Sequence, residues 1–500
     1  MRASTCFRPS ARAALLATLA LAAATAPAAC QSADQLAAQI AVPAASRFAA
    51  PADPAPPADP AVDTIFAAWD RADSPGCALG VARAGELVYT AGYGMANLDY
   101  GIPNGAEMVY YVGSVSKQFT AGAIALLAEE GALEMDADIR TWFPELPVYE
   151  RPITVRHLVH HTSGLRDIYT LMALAGIRLE DVFPDADALA LIVRQEGLNF
   201  PPGSDYLYSN SGYFLLAQLV KRVTGSSLRE FTTERMLAPL GMTDTHFHDD
   251  PGHVLPNRVM SYQRAGDGFR ISYLANFDKV GAGGLYTTIP DLARWDAQFY
   301  QPAVGGADWL ARVHTPGVLT GGDTLGYAWG LNLGSYRDLP IVEHGGSMMG
   351  FKAHLLRFPE ERLSVLLLCN LGEINPGNLA RQVARVYLGE RMAPVAAPAA
   401  RGDAAGGDRA AAPPPPTFDP GEYVGTYGSR ELDATWTLAR DGAELVLGRP
   451  LGITTRLQPR ERNRFAAGSY VLTFERDAAG AVTGFRVAAG RVSDIGFERR

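Results

Sequence analysis

A serine and a lysine three positions apart are the residues of this chain whose spacing most directly suggests chemistry. Ser114 and Lys117 open the run SVSKQFTAGAIALLAEEG, in which apolar residues recur at helical spacing until Gly131, the expected helix end. On a helix such residues share one face, so the lysine amine could take the proton of the serine hydroxyl. The free N–H groups of a helix N-terminus would favour the developing oxyanion. An isolated serine and lysine at this spacing are more often a helix cap and a solvent-facing side chain. Here the pattern is less easily a coincidence, because Lys117 is one of only four lysines in the chain.

Tyr208-Ser209-Asn210 is a second motif that bears on a nucleophilic serine. The tyrosine hydroxyl could relay a proton if a nearby ammonium lowered its pKa from the usual value of about 10. The amide of Asn210 could orient Lys117 and donate to a substrate carbonyl. Alone, a sequence of this kind is a commonplace turn.

His344-Gly345-Gly346, followed by Ser347, is the third motif and lies on a strand-like run. Glycines would allow a substrate to lie along the strand as an added strand. The backbone N–H of Ser347 could then join that of Ser114 in an oxyanion hole.

In this order, the three motifs resemble those of the serine β-lactamase/penicillin-binding-protein superfamily. The resemblance is to the branch of class C β-lactamases, family VIII esterases, D-aminopeptidases and D,D-peptidases, and it covers about residues 63–390, including the runs ITVRHLVHHTSGL and GAGGLYTTIPDLARW. It implies that Ser114 is the acylated nucleophile, Lys117 its base partner and Tyr208 a proton relay, particularly in deacylation. It also implies that Asn210 binds substrate.

The resemblance places His344 where the antibiotic-hydrolysing enzymes carry the lysine of a K-T-G motif. Histidine is mostly uncharged at neutral pH, so it offers no permanent charge to a substrate carboxylate. This favours a hydrolase of small ester, amide or D-amino-acid peptide substrates. The alternatives are a class C-like β-lactamase or D,D-carboxypeptidase, and a catalytically silent binding or scaffold protein on the same fold.

No metal or other cofactor is expected. Six further histidines form two clusters, which are interpreted as structural. The first (His157, His160 and His161) has no cysteine or carboxylate at the spacing of a metal site. The second (His246, His248 and His253) lies in a loop, where polar residues are needed in any case.

The pattern of strands and helices that must position these side chains predicts an α/β fold. Strand-like runs occur at both ends of the region (CALGVAR, ELVYTAGYG; IVEHGG, KAHLLRF, LSVLLLCN), and a mostly helical stretch lies between residues 136 and 241. One antiparallel sheet built from both ends, flanked by helices and carrying a helical insertion, would bury all of them. The resemblance places the first strand beside the last, so Cys77 and Cys369 should be neighbours, either as a disulfide or as two buried thiols.

Composition shifts divide the chain into five segments. These are a signal peptide (1–29), a Pro/Ala-rich linker (30–62), the β-lactamase-like hydrolase domain (63–391), an Ala/Pro/Gly linker (392–418) and a small all-β, barrel-like domain (419–500). The last segment is similar to the lipocalin-like domain that follows some of these hydrolases, and no chemistry is assigned to it.

The net charge and the N-terminal segment indicate which kinds of partner to expect. The formal net charge is −9, and removal of residues 1–29, with three arginines and no acid, leaves −12, which argues against nucleic-acid binding. Arginines, an apolar run and small residues predict export to the periplasm or the medium. Cys30 leaves open a lipid anchor, the one membrane association expected.

Overall fold

The computed structural model describes residues 59–272, 276, 278–394 and 418–500. The signal peptide, all but the last four residues of the first linker and nearly all of the second linker lie outside the described residues, so the predictions made for them stay predictions. Helix α1 already begins at Pro60, inside the predicted linker. Asp59 caps it by accepting from the Ala61 N–H at 3.0 Å, a signal hidden by the surrounding prolines.

The hydrolase domain contains ten helices and thirteen strands among its described residues. In chain order they are α1 (Pro60–Phe66), β1 (Cys77–Arg83), β2 (Glu86–Tyr93), β3 (Met95–Asn97), β4 (Ile102–Pro103), β5 (Tyr110–Tyr111), α2 (Ser116–Glu129), α3 (Val155–Val159), α4 (Ile168–Ala175), α5 (Asp185–Val193), α6 (Asn210–Thr224), α7 (Leu228–Thr232), β6 (His246–Phe247), β7 (Tyr262–Ala265), β8 (Gly268–Ile271), β9 (Leu285–Thr287), α8 (Ile289–Ala297), α9 (Gly306–Val313), β10 (Asn332–Tyr336), β11 (Leu339–Met348), β12 (Phe351–Phe358), β13 (Leu363–Cys369) and α10 (Pro376–Leu388).

The central sheet is built from both ends of the domain, as predicted. It has six antiparallel strands in the order β10-β11-β12-β13-β1-β2. Helices α1 and α10 cover one face and α8 the other, so β13 is buried along its whole length. Burial on both faces explains why that strand reads as a continuous apolar run, LSVLLLC.

Cys77 and Cys369 form a disulfide between strands β1 and β13. The two residues are direct register partners, with Cα atoms 4.0 Å apart. The predicted proximity is therefore confirmed, and of the two states left open the structure contains the bridge.

Helix α2 runs through the core of the domain. Every residue from Ser116 to Leu127 is buried, so the helix is enclosed on all sides and needs no polar face. It is preceded by a 3₁₀ turn, Gly113–Val115, which carries Ser114. Gly131 adopts a left-handed φ of 70° just after the helix, as its position predicted.

The run ITVRHLVHHTSGL forms helix α3, which ends at Val159. His161 follows with a positive φ of 59°, and its ring packs against Tyr208.

The C-terminal domain is a nearly closed antiparallel barrel. Its nine strands are β14 (Gly425–Ser429), β15 (Ala434–Asp441), β16 (Glu444–Arg449), β17 (Ile453–Arg456), β18 (Gln458–Glu461), β19 (Arg464–Ala467), β20 (Tyr470–Arg476), β21 (Val482–Ala489) and β22 (Val492–Arg499), in the spatial order β17-β16-β15-β14-β22-β21-β20-β19-β18. Strands β17, β18 and β19 have only four residues each, too few to show a clear alternation in the sequence.

The barrel is joined to the hydrolase domain by buried polar contacts. Arg166 and Glu431 form an ion pair whose side chains are only 2% and 9% exposed. The Trp436 indole N–H donates to the Leu174 carbonyl at 3.2 Å. Among the described residues, no helix is long and apolar enough to cross a membrane.

Candidate active site

Ser114 lies in the turn that leads into helix α2, with its side chain partly exposed, while Lys117 is fully buried beneath it. The Lys117 Nζ atom is 3.2 Å from Ser114 Oγ, so the structure brings together the pair that their spacing predicted. The hydroxyl of Ser116, which precedes Lys117, donates to the Gly113 carbonyl at 2.6 Å and accepts from the Leu285 N–H at 3.1 Å. These bonds fix the turn that presents Ser114.

The hydrogen-bond partners of Lys117 Nζ can accommodate an ammonium, which would donate to all three of them, and also a neutral amine. The Nζ atom donates to Asn210 Oδ1 at 2.9 Å and to the Ala282 carbonyl at 2.7 Å. A neutral amine has two N–H groups and one lone pair, so these two acceptors use both donors. The lone pair is left for the Ser114 hydroxyl, which can donate to it.

Burial favours the neutral amine energetically. It lowers the pKa of the Lys117 ammonium well below its ordinary value of 10.5. The Asp167 carboxylate opposes this shift of the Lys117 pKa, and the Arg491 guanidinium adds to it. Burial thus increases the fraction of Lys117 that is present as a free amine able to act as a base.

Asp167 determines which way the Asn210 amide faces. Its Oδ2 atom accepts from both the backbone N–H and the side-chain Nδ2 of Asn210, each at 2.8 Å. The amide oxygen is therefore turned toward Lys117. Asp167 is also the N-cap of helix α4, and no motif in the sequence pointed to its role beside Asn210.

Tyr208 stands just before helix α6 and faces the same site. Lys117 Nζ is 4.7 Å from the centre of its ring. The expectation that an ammonium would lower the Tyr208 pKa is wrong: burial raises that pKa, although the nearby Ser114 hydroxyl acts in the opposite direction. The reason is that Tyr208 is buried, and desolvation disfavours the charged phenolate. The buried Tyr208 hydroxyl makes no hydrogen bond of normal geometry within the described residues.

His161 supports this tyrosine from behind. The two rings lie 4.2 Å apart between centroids, and His161 Nδ1 accepts from the Ser209 N–H at 3.1 Å. Because burial lowers the pKa of His161 well below its ordinary value, the imidazole is neutral and serves as an acceptor. This contact is consistent with the interpretation of His161 as a structural residue. The position of His161 beside Tyr208 was not predicted.

The end of strand β11 lies directly against the turn of Ser114. A Cβ atom at Gly346 would be 1.9 Å from the Val112 carbonyl oxygen and 3.1 Å from the Ser114 nitrogen, and one at Gly113 would be 2.6 Å from the Ser347 nitrogen. Only glycine fits at Gly346. The backbone amides of Ser114 and Ser347 are thereby neighbours, as an oxyanion hole requires. Strand β10 pairs with β11 only as far as residue 343, so Gly345 and its successors lack that partner.

His344 lies on strand β11, directly before Gly345 and Gly346, and is buried. Its side chain is 3% exposed, with Nδ1 2.7 Å from the Gly345 oxygen and Nε2 3.4 Å from the Tyr327 hydroxyl. Burial lowers its pKa to about 3, so the ring is neutral. The imidazole is not among the described residues that line the cleft, and the prediction that His344 contacts substrate stays a prediction. Its strand position makes its side chain point toward the aromatic cluster of Tyr208 and Tyr327.

The other histidines do not belong to this site, apart from His161. His157 Nδ1 accepts from the Thr154 N–H and completes a capping box on α3. His246 and His248 hydrogen-bond each other at 3.1 Å. In the part of the chain that the structure describes, no group of three or more His, Cys, Asp or Glu side chains is arranged to hold a metal ion.

A cleft of about 230 Å³ opens over Ser114. Its walls come from the hydrolase domain except for one residue, Arg491, which the C-terminal barrel contributes. The remaining lining residues are Tyr111, Gly113, Tyr169, Leu179, Tyr208, Asn210, Ala282, Gly283, Ser347 and Met348. The volume suits a small substrate, since drug-sized ligands occupy roughly 300–1,000 Å³.

Comparison with known proteins agrees with this arrangement. The family model described as Beta-lactamase matches residues 61–389. The D-aminopeptidase of Gluconobacter oxydans is 28% identical over 416 residues, which are 82% of this chain and 74% of that protein. Penicillin-binding protein 4* of Bacillus subtilis is 28% identical over 307 residues (58% and 67%). A D-aminopeptidase of Cereibacter sphaeroides is 29% identical over 299 residues (59% and 57%), so this chain spans little more than half of that relative.

Solved structures show the same fold. The octameric penicillin-binding protein homologue from Pyrococcus abyssi superposes with a TM-score of 0.58 at 21% identity, covering 85% of this chain and 96% of that one. The D-amino acid amidase from Ochrobactrum anthropi, complexed with L-phenylalanine, gives a TM-score of 0.55 at 21% identity, covering 66% and 99%.

Proposed function

Because the chain belongs to the β-lactamase family of serine hydrolases, whose model matches residues 61–389, we propose that it cleaves small ester or amide substrates through an acyl-enzyme on Ser114. One observation carries this proposal: Lys117 Nζ lies 3.2 Å from Ser114 Oγ and is held there by Asn210 Oδ1 and the Ala282 carbonyl, so that its neutral form could take the proton of the Ser114 hydroxyl. The D-aminopeptidases and the D-amino acid amidase among the similar proteins favour amides of D-amino acids as substrates.

In the acylation step, Ser114 Oγ attacks the substrate carbonyl carbon while Lys117 Nζ takes the hydroxyl proton. The carbonyl oxygen becomes an oxyanion held by the N–H groups of Ser114 and Ser347. When the tetrahedral intermediate collapses, the bond to the leaving group breaks. Tyr208, whose raised pKa keeps its hydroxyl protonated, donates a proton to the leaving oxygen or nitrogen and regains it from Lys117.

Deacylation reverses these roles with water in place of the leaving group. A water molecule attacks the acyl carbon, and its proton passes through Tyr208 to Lys117. Collapse of the second intermediate releases the carboxylic acid and returns the proton to Ser114 Oγ. No cofactor takes part in this sequence.

The protein also carries signs of export, and we place its activity outside the cytoplasm. The disulfide between Cys77 and Cys369 belongs to an oxidising compartment, and residues 1–29 have the pattern of a signal peptide. Mass spectrometry of the protein recovered from its native host tests this. A chain beginning near residue 30 supports export, a diacylglycerol on Cys30 shows a lipid anchor, and an uncleaved N-terminus in the cytoplasm contradicts the proposal.

The decisive test of function is covalent labelling with a fluorophosphonate probe, together with turnover of p-nitrophenyl acetate, nitrocefin and D-alanine p-nitroanilide. Wild-type protein should be labelled once and should hydrolyse at least one substrate. Ser114→Ala should lose both properties, whereas Ser335→Ala, which removes an exposed hydroxyl on strand β10, should keep them. An unlabelled and inactive wild-type protein would favour the alternative of a silent binding protein.

A further inference from the structure

Arg491 is the one residue of the C-terminal barrel that lines the cleft over Ser114. We propose that its guanidinium binds a carboxylate of the substrate, so that the barrel determines specificity for anionic substrates. The inference rests on the proposed hydrolase function and names the substrate class more narrowly. It assigns a role to a domain for which the sequence suggested none.

The tip of the β21–β22 hairpin holds Arg491 in place. Gly490, with a φ of 53°, and Arg491 form the two-residue connection between the strands. The Arg491 carbonyl accepts from the Asp167 N–H at 3.3 Å and from Asn199 Nδ2 at 3.0 Å. The Ser493 N–H donates to Asn199 Oδ1 at 2.8 Å. The backbone of the loop is thus fixed to the hydrolase domain at the arginine and two residues after it.

The Arg491 side chain is tethered but retains free capacity to bind. It is 37% exposed, and its Nη1 atom donates to the Tyr208 carbonyl at 3.4 Å. A guanidinium has five N–H groups, and the described structure shows a hydrogen bond for this one alone. The remaining N–H groups are available to a carboxylate, which a guanidinium binds through two parallel hydrogen bonds.

The other charged groups near the cleft do not cancel the positive charge that Arg491 presents to it. No carboxylate is found among the lining residues that the structure describes. Asp167 lies 3.7 Å from Arg491 but is fully buried and accepts two hydrogen bonds from Asn210. Burial disfavours the charged form of Lys117, and Lys352 donates to Ser347 Oγ at 2.7 Å. Arg491 is therefore the one charged side chain among the described lining residues, which favours a substrate carboxylate over a substrate ammonium.

This charge separates the chain from a simple aminopeptidase, whose substrates carry a free ammonium next to the scissile amide. It also provides the positive group that the neutral, buried His344 does not. The guanidinium carbon is 5.4 Å from the centre of the Tyr208 ring, so the carboxylate would lie on the side of the cleft formed by Tyr208 and Asn210.

Matched substrates test the inference at both ends of the scissile bond. One pair is N-succinyl- and N-acetyl-D-alanine p-nitroanilide, which differ by a carboxylate on the acyl side. The other is N-acetyl-D-alanyl-D-alanine and its C-terminal amide, which differ by a carboxylate on the leaving side. Free D-alanine p-nitroanilide supplies the ammonium. The quantity compared is the ratio of kcat/KM within a pair, because a ratio cancels general damage to the enzyme.

Wild-type protein should prefer the carboxylate in at least one pair, and Arg491→Met should reduce that preference about tenfold, as the loss of a charge-assisted hydrogen bond predicts. Arg491→Lys should keep part of the preference, and Arg491→Glu should raise relative turnover of the ammonium substrate. Arg462→Met, which removes an exposed arginine at another turn of the barrel, should behave as wild type.

Two outcomes separate this inference from the function on which it rests. If wild-type protein hydrolyses the neutral substrates but both ratios are the same in Arg491→Met, Arg491 does not bind a carboxylate and the inference is overturned. If wild-type protein hydrolyses none of them and Ser114 is not acylated by the fluorophosphonate, the hydrolase function itself is wrong.

Discussion

The Oδ1 atom of Asn210 lies 2.9 Å from Nζ of Lys117, and Asp167 turns it there by accepting from the Nδ2 atom of the same amide. A carboxylate that touches neither Ser114 nor Lys117 thus decides how the lysine is hydrogen-bonded. The arrangement makes Asp167 a positioning residue, with consequences that can be measured.

Asp167→Asn should reduce kcat by about 10²-fold, the lower end of the range for groups that support general base catalysis. An asparagine has one acceptor oxygen in place of two, so it cannot accept from both Thr170, which Asp167 caps, and Asn210. Steady-state kinetics with a neutral ester gives kcat. Asp205→Asn, at an exposed position ahead of the Tyr208 motif, is the matched control and should be unchanged. A kcat within threefold of wild type for Asp167→Asn would show that Asn210 is oriented without it.

Activity should fall as the pH is lowered, because the protonated form of Lys117 cannot accept the Ser114 proton. Burial lowers the Lys117 pKa, so the acid limb of the kcat/KM profile should lie well below the ordinary lysine value. The Asp167 charge raises that pKa and Arg491 lowers it. The limb should therefore move to lower pH in Asp167→Asn and to higher pH in Arg491→Met. Shifts of the opposite sign would mean that another group titrates.

Lys117→Ala and Tyr208→Phe should slow different steps. Without the lysine, the serine has no base and acylation fails. Without the tyrosine hydroxyl, water is poorly activated, so the acyl-enzyme should accumulate. General acid–base groups typically contribute about 10²–10⁴-fold. Intact mass spectrometry during turnover detects the acyl-enzyme. The role of Tyr208 as a proton relay would be contradicted if Tyr208→Phe were nearly as active as wild type and no acyl-enzyme accumulated.

Gly346→Ala should lower kcat/KM by about 10²-fold, as the loss of one oxyanion donor does. The added methyl group would collide with the Val112 carbonyl and push strand β11 away from Ser114. Gly334→Ala, on strand β10, would meet only a side-chain carbon at 4.0 Å and serves as the control. Equal activity of the two variants would show that the spacing of β11 from Ser114 is not critical.

Glu431→Gln should lower the free energy of unfolding by about 3–5 kcal/mol, since it leaves the buried Arg166 charge without its partner. Urea denaturation followed by tryptophan fluorescence measures this. Arg430→Gln changes a neighbouring side chain that is 75% exposed, and an exposed pair is worth about 0–1 kcal/mol. Similar losses in the two variants would show that the buried pair does not hold the domains together.

Local patterns in the sequence predicted much of the architecture. The strands of the central sheet alternate or form continuous apolar runs, and helices α8 and α10 begin after Thr288 and Asn375, residue types typical of N-caps. Ser114 and Lys117 were predicted because both lie in one turn of chain. The order of the motifs, through its resemblance to a known superfamily, added Tyr208 and Asn210.

The remaining site residues could not be predicted because tertiary contacts alone give them their roles. Arg491 is separated from Tyr208 by 283 positions, and no local pattern distinguishes it from other arginines of the barrel. Ala282 contributes only its carbonyl, which any residue possesses. The direction of the Tyr208 pKa depended on burial, which a motif does not reveal.

The disulfide between Cys77 and Cys369 closes the hydrolase domain into a covalent ring with a sequence separation of 292. Ser114, Lys117, Tyr208 and Ser347 all lie within that ring. A protease that cuts once inside it leaves both pieces joined, so the acylation machinery stays on one molecule. The segment 392–418 and the barrel lie outside the ring. A cut there would leave Arg491 attached only by noncovalent contacts, and a nicked enzyme could lose its preference for anions while keeping its nucleophile.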